Sequence, residues 1–163
     1  MKHLYLIRHG KSDWHADHAT DKERPLSSRG REDAHKVGAY LKRASVHPDR
    51  VLCSSALRTR QTLDILSDAA GWRSEVNIDE ALYLADPADV IRMVRSQPKG
   101  IGTLAIVGHQ PFTGHVASLL LGSGHLEVPT ACVIGIEFDA SEWDGVINEQ
   151  RRLLMHLLPR RLR

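Results

Sequence analysis

Cysteine is scarce in this chain: only Cys53 and Cys132 occur, and neither stands in a CxxC or other zinc-type spacing. That leaves no redox or zinc motif, and both residues, set among apolar neighbours, read as small packing hydrophobes. No apolar run approaches the length of a membrane span, and the stretch after Lys2 is too short for a signal-peptide core. Charge of one sign is also missing. A net charge of +2 and a pI of about 8.7 create no strong field for nucleic acid. Basic residues do crowd the end, at Arg151, Arg152, Arg160, Arg161 and Arg163, and read as a solvated, frayed tail. Internal repeats, low-complexity tracts and linkers are absent too. The expectation is a cytoplasmic protein with reduced thiols, with neither nucleic acid nor membrane as partner. Hydrophobic residues at 42% and charged residues at 26% of 163 suit one domain, 1–163.

What is present is an alternation of strands and helices. The apolar run Leu4-Tyr5-Leu6-Ile7, stopped at Gly10, reads as a buried strand over 3–8. A polar loop over 11–28 follows, longer than usual and therefore a candidate for function. Ser28 is a candidate cap for a helix whose Ala34, Val37, Gly38 and Leu41 recur at helical spacing. A strand over 50–54 leads to a helix over 56–70 with Leu57, Leu63, Ile65, Leu66 and Ala69 as its apolar side, stopped by Gly71. Further strands are expected at 74–78 and 103–107, and further helices from Asp86-Pro87 to Arg95 and from Pro111 to Leu121. The segments 130–138 and 151–158 read as an antiparallel pair turning near Asp144-Gly145, although the leucines of the last one also fit a helix face. The pattern predicts a three-layer α/β/α sandwich with a mostly parallel central sheet and an antiparallel C-terminal edge.

On that reading three segments project from one sheet edge, where ligands of open α/β sheets bind. They are Arg8-His9-Gly10, Ser54-Ser55-Ala56-Leu57-Arg58 and Gly108-His109-Gln110-Pro111, and no acidic residue lies in them. Taken alone, each has a bland reading: an arginine at a helix start is ordinary surface, and a histidine after glycine can simply cap a helix. Together they bring two histidines and two arginines to one concavity beside helix N-termini, which favour anions. That composition suits phosphoryl transfer without metal or cofactor. Guanidinium groups match phosphate oxygens, and a neutral imidazole, kept neutral by nearby positive charge, can attack phosphorus in line. Asp13, His15, Asp17 and His18 stand at spacings that can bind zinc, but a polar loop produces such clusters without purpose.

The three segments resemble the signature of the histidine phosphatase superfamily, the phosphoglycerate-mutase-like fold. The matching stretches are Leu6-Ile7-Arg8-His9-Gly10, then Ser54-Ser55-Ala56-Leu57-Arg58-Thr59-Arg60-Gln61-Thr62, then Val107-Gly108-His109. The resemblance implies that His9 is the nucleophile, that Arg8 and Arg58 bind phosphate, and that His109 completes the pocket. Within the superfamily the chain is most similar to the small SixA-like phosphohistidine phosphatases. It shares their compact length, and Arg24-Pro25-Leu26-Ser27-Ser28-Arg29-Gly30, Ala81-Leu82-Tyr83 and Pro159-Arg160-Arg161-Leu162 look like theirs.

One departure bears on the substrate. Mutases and many phosphomonoesterases of the superfamily carry a carboxylic acid that protonates the leaving oxygen. Glu80 is the best positional match here, but Ile78-Asp79-Glu80-Ala81-Leu82-Tyr83 is not the mutase pattern, and an exposed loop carboxylate needs no purpose. An alkoxide benefits from an acid, whereas an imidazole leaving group can be protonated by solvent or in advance. The expected substrate is therefore phosphohistidine in a protein, with a small phosphorylated metabolite as the alternative and a non-catalytic phosphate-binding adaptor as the rival of another class. Ser12 and Arg24 are candidates to contact the phosphoryl group and read equally as loop surface. Trp14 and Trp72 read as packing residues, with Trp14 also placed to wall the site.

Overall fold

The structure is a computed structural model that describes residues 1–163. Six strands, β1 (Lys2–Arg8), β2 (Arg50–Ser54), β3 (Glu75–Asp79), β4 (Thr103–Gly108), β5 (Val133–Phe138) and β6 (Arg151–Leu157), form one sheet in the order β3-β2-β4-β1-β5-β6. The pairs β3–β2, β2–β4 and β4–β1 are parallel, β5 runs antiparallel to β1, and β6 antiparallel to β5. Four helices, α1 (Ser28–Arg43), α2 (Leu57–Ala70), α3 (Pro87–Arg95) and α4 (Phe112–Leu121), cover the two faces. This is the expected α/β/α sandwich with its antiparallel C-terminal edge.

Period-two alternation along the strands divides the interior into two cores. Leu4, Leu6, Leu104 and Ile106 pack with Val90 and Val94 of α3 and Phe112 and Val116 of α4. Tyr5, Ile7, Ala105 and Val107 pack with Val37 and Leu41 of α1 and Leu63 and Leu66 of α2. Being covered on both faces is what makes β1 and β4 read as unbroken apolar runs. No helix is long and apolar enough to cross a membrane.

Local chemistry sets the helix ends, with some corrections to the sequence reading. Ser27, not Ser28, caps α1, its side chain accepting from the Gly30 N–H at 3.1 Å. Helix α3 opens on a reciprocal Asp86–Asp89 capping box with Pro87 behind it. In α2 the buried face includes Arg58, Thr59 and Thr62, while Leu57, Ile65 and Ala69 are only half-buried. The first turn of that helix faces a polar cleft rather than the core, so hydrophobicity alone misplaced its inner face. The last segment is a strand, because its backbone completes the ladder of β5. Nor is the basic end a frayed tail. Arg152 pairs with Glu137, Arg160 pairs with Glu127, and Leu162 packs against the core under α1 and α2.

Register positions the cleft. In the β1–β4 pair Arg8 stands opposite Gly108, and the His9 N–H then donates to the Gly108 carbonyl at 3.0 Å. His9 and His109 therefore leave the sheet side by side. Strand β2, on the other side of β4, brings Ser54 and the start of α2 to the same edge. The chain after β1 then turns beneath α1 at a point where backbone touches backbone. A Cβ on Gly30 would lie 2.2 Å from the Lys11 carbonyl oxygen, and one on Gly10 would lie 2.8 Å from the Gly30 oxygen. Gly30→Ala gains helix propensity worth at most about 1 kcal/mol but must push the loop off the helix. We expect a net loss of about 2 kcal/mol in chemical denaturation, the usual scale of overpacking.

Candidate active site

At the carboxyl ends of β1, β2 and β4 lies a cleft of about 380 Å³, lined by residues that include Arg8, His9, Ser12, Asp21, Arg24, Arg58, Tyr83 and His109. His9 forms its floor and is only 7% exposed. Its Nδ1 lies 2.6 Å from the Gly10 carbonyl oxygen. A carbonyl only accepts, so Nδ1 carries the proton and Nε2 keeps its lone pair. The ring of His109 stands 5.3 Å from that of His9, centroid to centroid and tilted by 58°. His109 is anchored through Nε2, 2.7 Å from the buried Ser54 hydroxyl, which leaves Nδ1 for a ligand.

The arginines enclose this pair. Arg8 donates through one terminal nitrogen to the Val128 carbonyl at 2.9 Å. Arg58 donates to the Asp21 carbonyl at 2.8 Å and to its carboxylate at 3.1 Å. The Nε–H groups of both are buried without a partner, as are the Arg50 Nε–H and the Ser55 hydroxyl. Arg24 is held through its Nε by the Ser12 hydroxyl at 3.0 Å and lies over the Trp14 ring, 3.5 Å from its centroid. Trp14 itself is 68% exposed, so it walls the cleft and does not pack in the core. Trp72 is half-buried, with its indole N–H on the Val46 carbonyl.

Burial decides the charge state of the imidazoles. It lowers His9 to about 3, with His109, Arg58 and Arg8 adding to the effect while the bond to Gly10 opposes it. His109 falls to about 4, again through burial first and Arg58 second, with Asp21 working the other way. The sequence reading assigned this shift to the arginines; desolvation proves to be the larger cause.

Of the residues singled out from sequence, Arg8, His9, Ser12, Arg24, Arg58 and His109 meet in the cleft. Glu80 does not. It begins a short 3-10 turn after β3, outside the lining, where its exposed carboxylate pairs with Lys22. Asp13, His15, Asp17 and His18 do not converge, since no group of three or more His, Cys, Asp or Glu side chains is placed to hold a metal ion. Sequence reasoning missed Asp21. Its carboxylate accepts from Arg24, Arg58 and the Tyr83 hydroxyl, and Tyr83 in turn meets the His109 ring edge-on at 5.7 Å. The available signal was an acid three residues before Arg24 in a loop already too long to be idle.

Paired neutral imidazoles ringed by guanidinium groups, at the carboxyl edge of a parallel sheet, define an α/β enzyme that handles phosphoryl groups. Residues 4–83 match the family model of the histidine phosphatase superfamily (branch 1). An uncharacterized protein of Mycobacterium leprae is 31% identical over 94% of this chain and 100% of its own length. The phosphohistidine phosphatase SixA of Escherichia coli is 28% identical over 90% of this chain and 91% of its own. A solved structure of SixA complexed with tungstate has a TM-score of 0.84 at 22% identity, covering 98% of both chains. The chain belongs to the histidine phosphatase superfamily and within it resembles SixA; phosphatase is the activity this membership assigns.

The depressed imidazoles have a measurable consequence. Between pH 6.5 and about 3 the unfolded chain binds protons that the folded His9 and His109 refuse, so stability falls as the pH drops through that window. We expect imidazole nitrogen NMR shifts to show both rings still neutral at about pH 5.5, well under the ordinary histidine value. We also expect His9→Gln to flatten the decline of stability between those limits.

Proposed function

We propose that this phosphatase removes the phosphoryl group from phosphohistidine in a protein through a covalent intermediate on His9. The phosphoryl oxygens accept from Arg8, Arg58 and the Nδ1–H of His109, the tautomer in which Nε2 accepts from the Ser54 hydroxyl. Nε2 of His9 attacks phosphorus, the bond to the departing group breaks, and water later hydrolyses the phosphohistidine formed on the enzyme. Arg24, steadied by Ser12, meets the phosphoryl group from the rim. The observation that carries the reading is the pair of imidazole rings 5.3 Å apart in a cleft that Arg8, Arg24 and Arg58 also line.

The shape of the cleft supports a protein side chain over an engulfed metabolite. A volume of about 380 Å³ is near the small end for ligand sites and accepts a phosphoryl group and a ring. At the lip Trp14 and Leu84 are 68% and 86% exposed, so the rest of a substrate remains outside. Glu80, outside the lining and tied to Lys22, has no part in this scheme. The names of the relatives agree: the E. coli relative is a phosphohistidine phosphatase, and a SixA structure holds tungstate, a tetrahedral oxyanion.

A panel of phosphohistidine protein, sugar phosphates and phosphoglycerate, assayed with a chelator present, tests the proposal. Phosphohistidine is expected to be turned over best. His9→Ala should abolish turnover and the acid-labile phosphoenzyme, and Arg58→Ala should lower the rate by roughly 10²–10³-fold. Glu80→Gln should change it less than about threefold, because a carboxylate outside the cleft supplies none of the ~10²–10⁴-fold of general acid catalysis. Efficient turnover of the metabolites alone would reverse the substrate assignment.

A further inference from the structure

Asp21 is an anion placed inside a site built for anions. It lines the cleft together with His9 and is fixed there by Arg24, Arg58 and the Tyr83 hydroxyl, yet its side chain remains 51% exposed while His9 is nearly covered. Of the two, Asp21 is the one open to solvent, and in an in-line displacement the departing group leaves on the side away from the buried nucleophile. A carboxylate has about four acceptor positions, of which these partners use three. One remains free on a side chain that is half exposed.

The groups around this carboxylate forbid it from acting as an acid. The Tyr83 hydroxyl, with Arg24 and Arg58, holds it well below the usual carboxylate range. The nearby Lys22 is engaged by Glu80, and His109 beyond is neutral. A permanent anion gives nothing to a departing alkoxide. It does attract an N–H that carries positive charge.

We propose that Asp21 makes the site selective for phosphoramidates by accepting a hydrogen bond from the protonated nitrogen of the departing imidazole. This rests on the phosphohistidine reading above and names the residue that enforces it. The substrate ring carries the phosphoryl group on one nitrogen and a proton on the other, and Asp21 stabilises that cationic form. As His9 Nε2 bonds to phosphorus, the electron pair of the breaking P–N bond returns to the ring. The ring leaves as neutral imidazole with its proton still in place, so the step needs no separate acid. A phosphate ester offers no such N–H, and for an ester whose remainder is anionic Asp21 is a source of repulsion.

The test compares kcat/KM for N-phosphorylimidazole with that for p-nitrophenyl phosphate, whose phenolate leaves without a proton. Asp21→Asn is expected to lower the ratio of the two by about 30-fold, the scale of a lost hydrogen bond between charged groups. Asp21→Glu is expected to restore much of it. The alkaline limb of the kcat profile for phosphorylimidazole, where the bound substrate ring loses its proton, should also move to lower pH in Asp21→Asn. Equal loss on both substrates with an unmoved limb would overturn the inference, reducing Asp21 to a residue that only positions Arg58. Wild-type protein inert on both substrates, or His9→Ala still active, would overturn the phosphatase reading itself.

Discussion

Everything in the cleft depends on the parallel pairing of β1 with β4. Both strands are covered by helices on each face, so a slip of one residue would turn every core side chain toward the wrong layer. That locked register sets Arg8 opposite Gly108 and carries the His9 N–H to the Gly108 carbonyl. The two imidazoles, a hundred residues apart in the chain, are thereby delivered as neighbours. The hydrophobic interior supplies the precision, and the chemistry at the sheet edge inherits it.

The same burial sets the electrostatics. Taking His9 and His109 out of water removes their charge, which leaves one ring with a usable lone pair and the other with a nitrogen for a ligand. The arginines cannot shed charge in this way, because a guanidinium stays protonated. Arg58 is balanced by Asp21, but the Nε–H groups of Arg8 and Arg58 are left without partners. Two neutral imidazoles among arginines make a cleft whose chemistry suits a tetrahedral anion. The loop between β1 and α1 completes it, pinned at one end by the contact of Gly10 with Gly30 and held over the cleft by the contacts of Asp21.

Much of this was legible along the chain because the signals are local. Leu4-Tyr5-Leu6-Ile7 is a buried strand by its own composition, and the capped and glycine-stopped helices declare their ends. Arg8, His9, Arg58 and His109 were legible because each sits at a strand end or in the first turn after one, where the chain order of an α/β fold predicts a ligand edge. The failures are equally local in origin. The inner face of α2 was misread because Thr59 and Thr62 are buried by hydrogen bonds and not by apolar character. Ser28 displaced Ser27 as the cap because adjacent serines are indistinguishable until backbone angles choose one. Glu80 fitted a spacing and proved to be on the outside, held by a lysine from a loop far away in the chain.

The order of strands and helices, the two-sided burial of the central strands and the identity of the groups at their ends are written in the chain. These follow from periodicity and from residue chemistry over a few neighbouring positions. Which carboxylate joins the site is settled by the folded path of the loop. Asp21 enters and Glu80 stays out, because membership depends on how an irregular loop folds over a sheet edge, and no short-range pattern encodes that path. Only the folded molecule, too, could show that desolvation outweighs the arginines in keeping the imidazoles neutral, since water is excluded by the whole assembly and by no single segment.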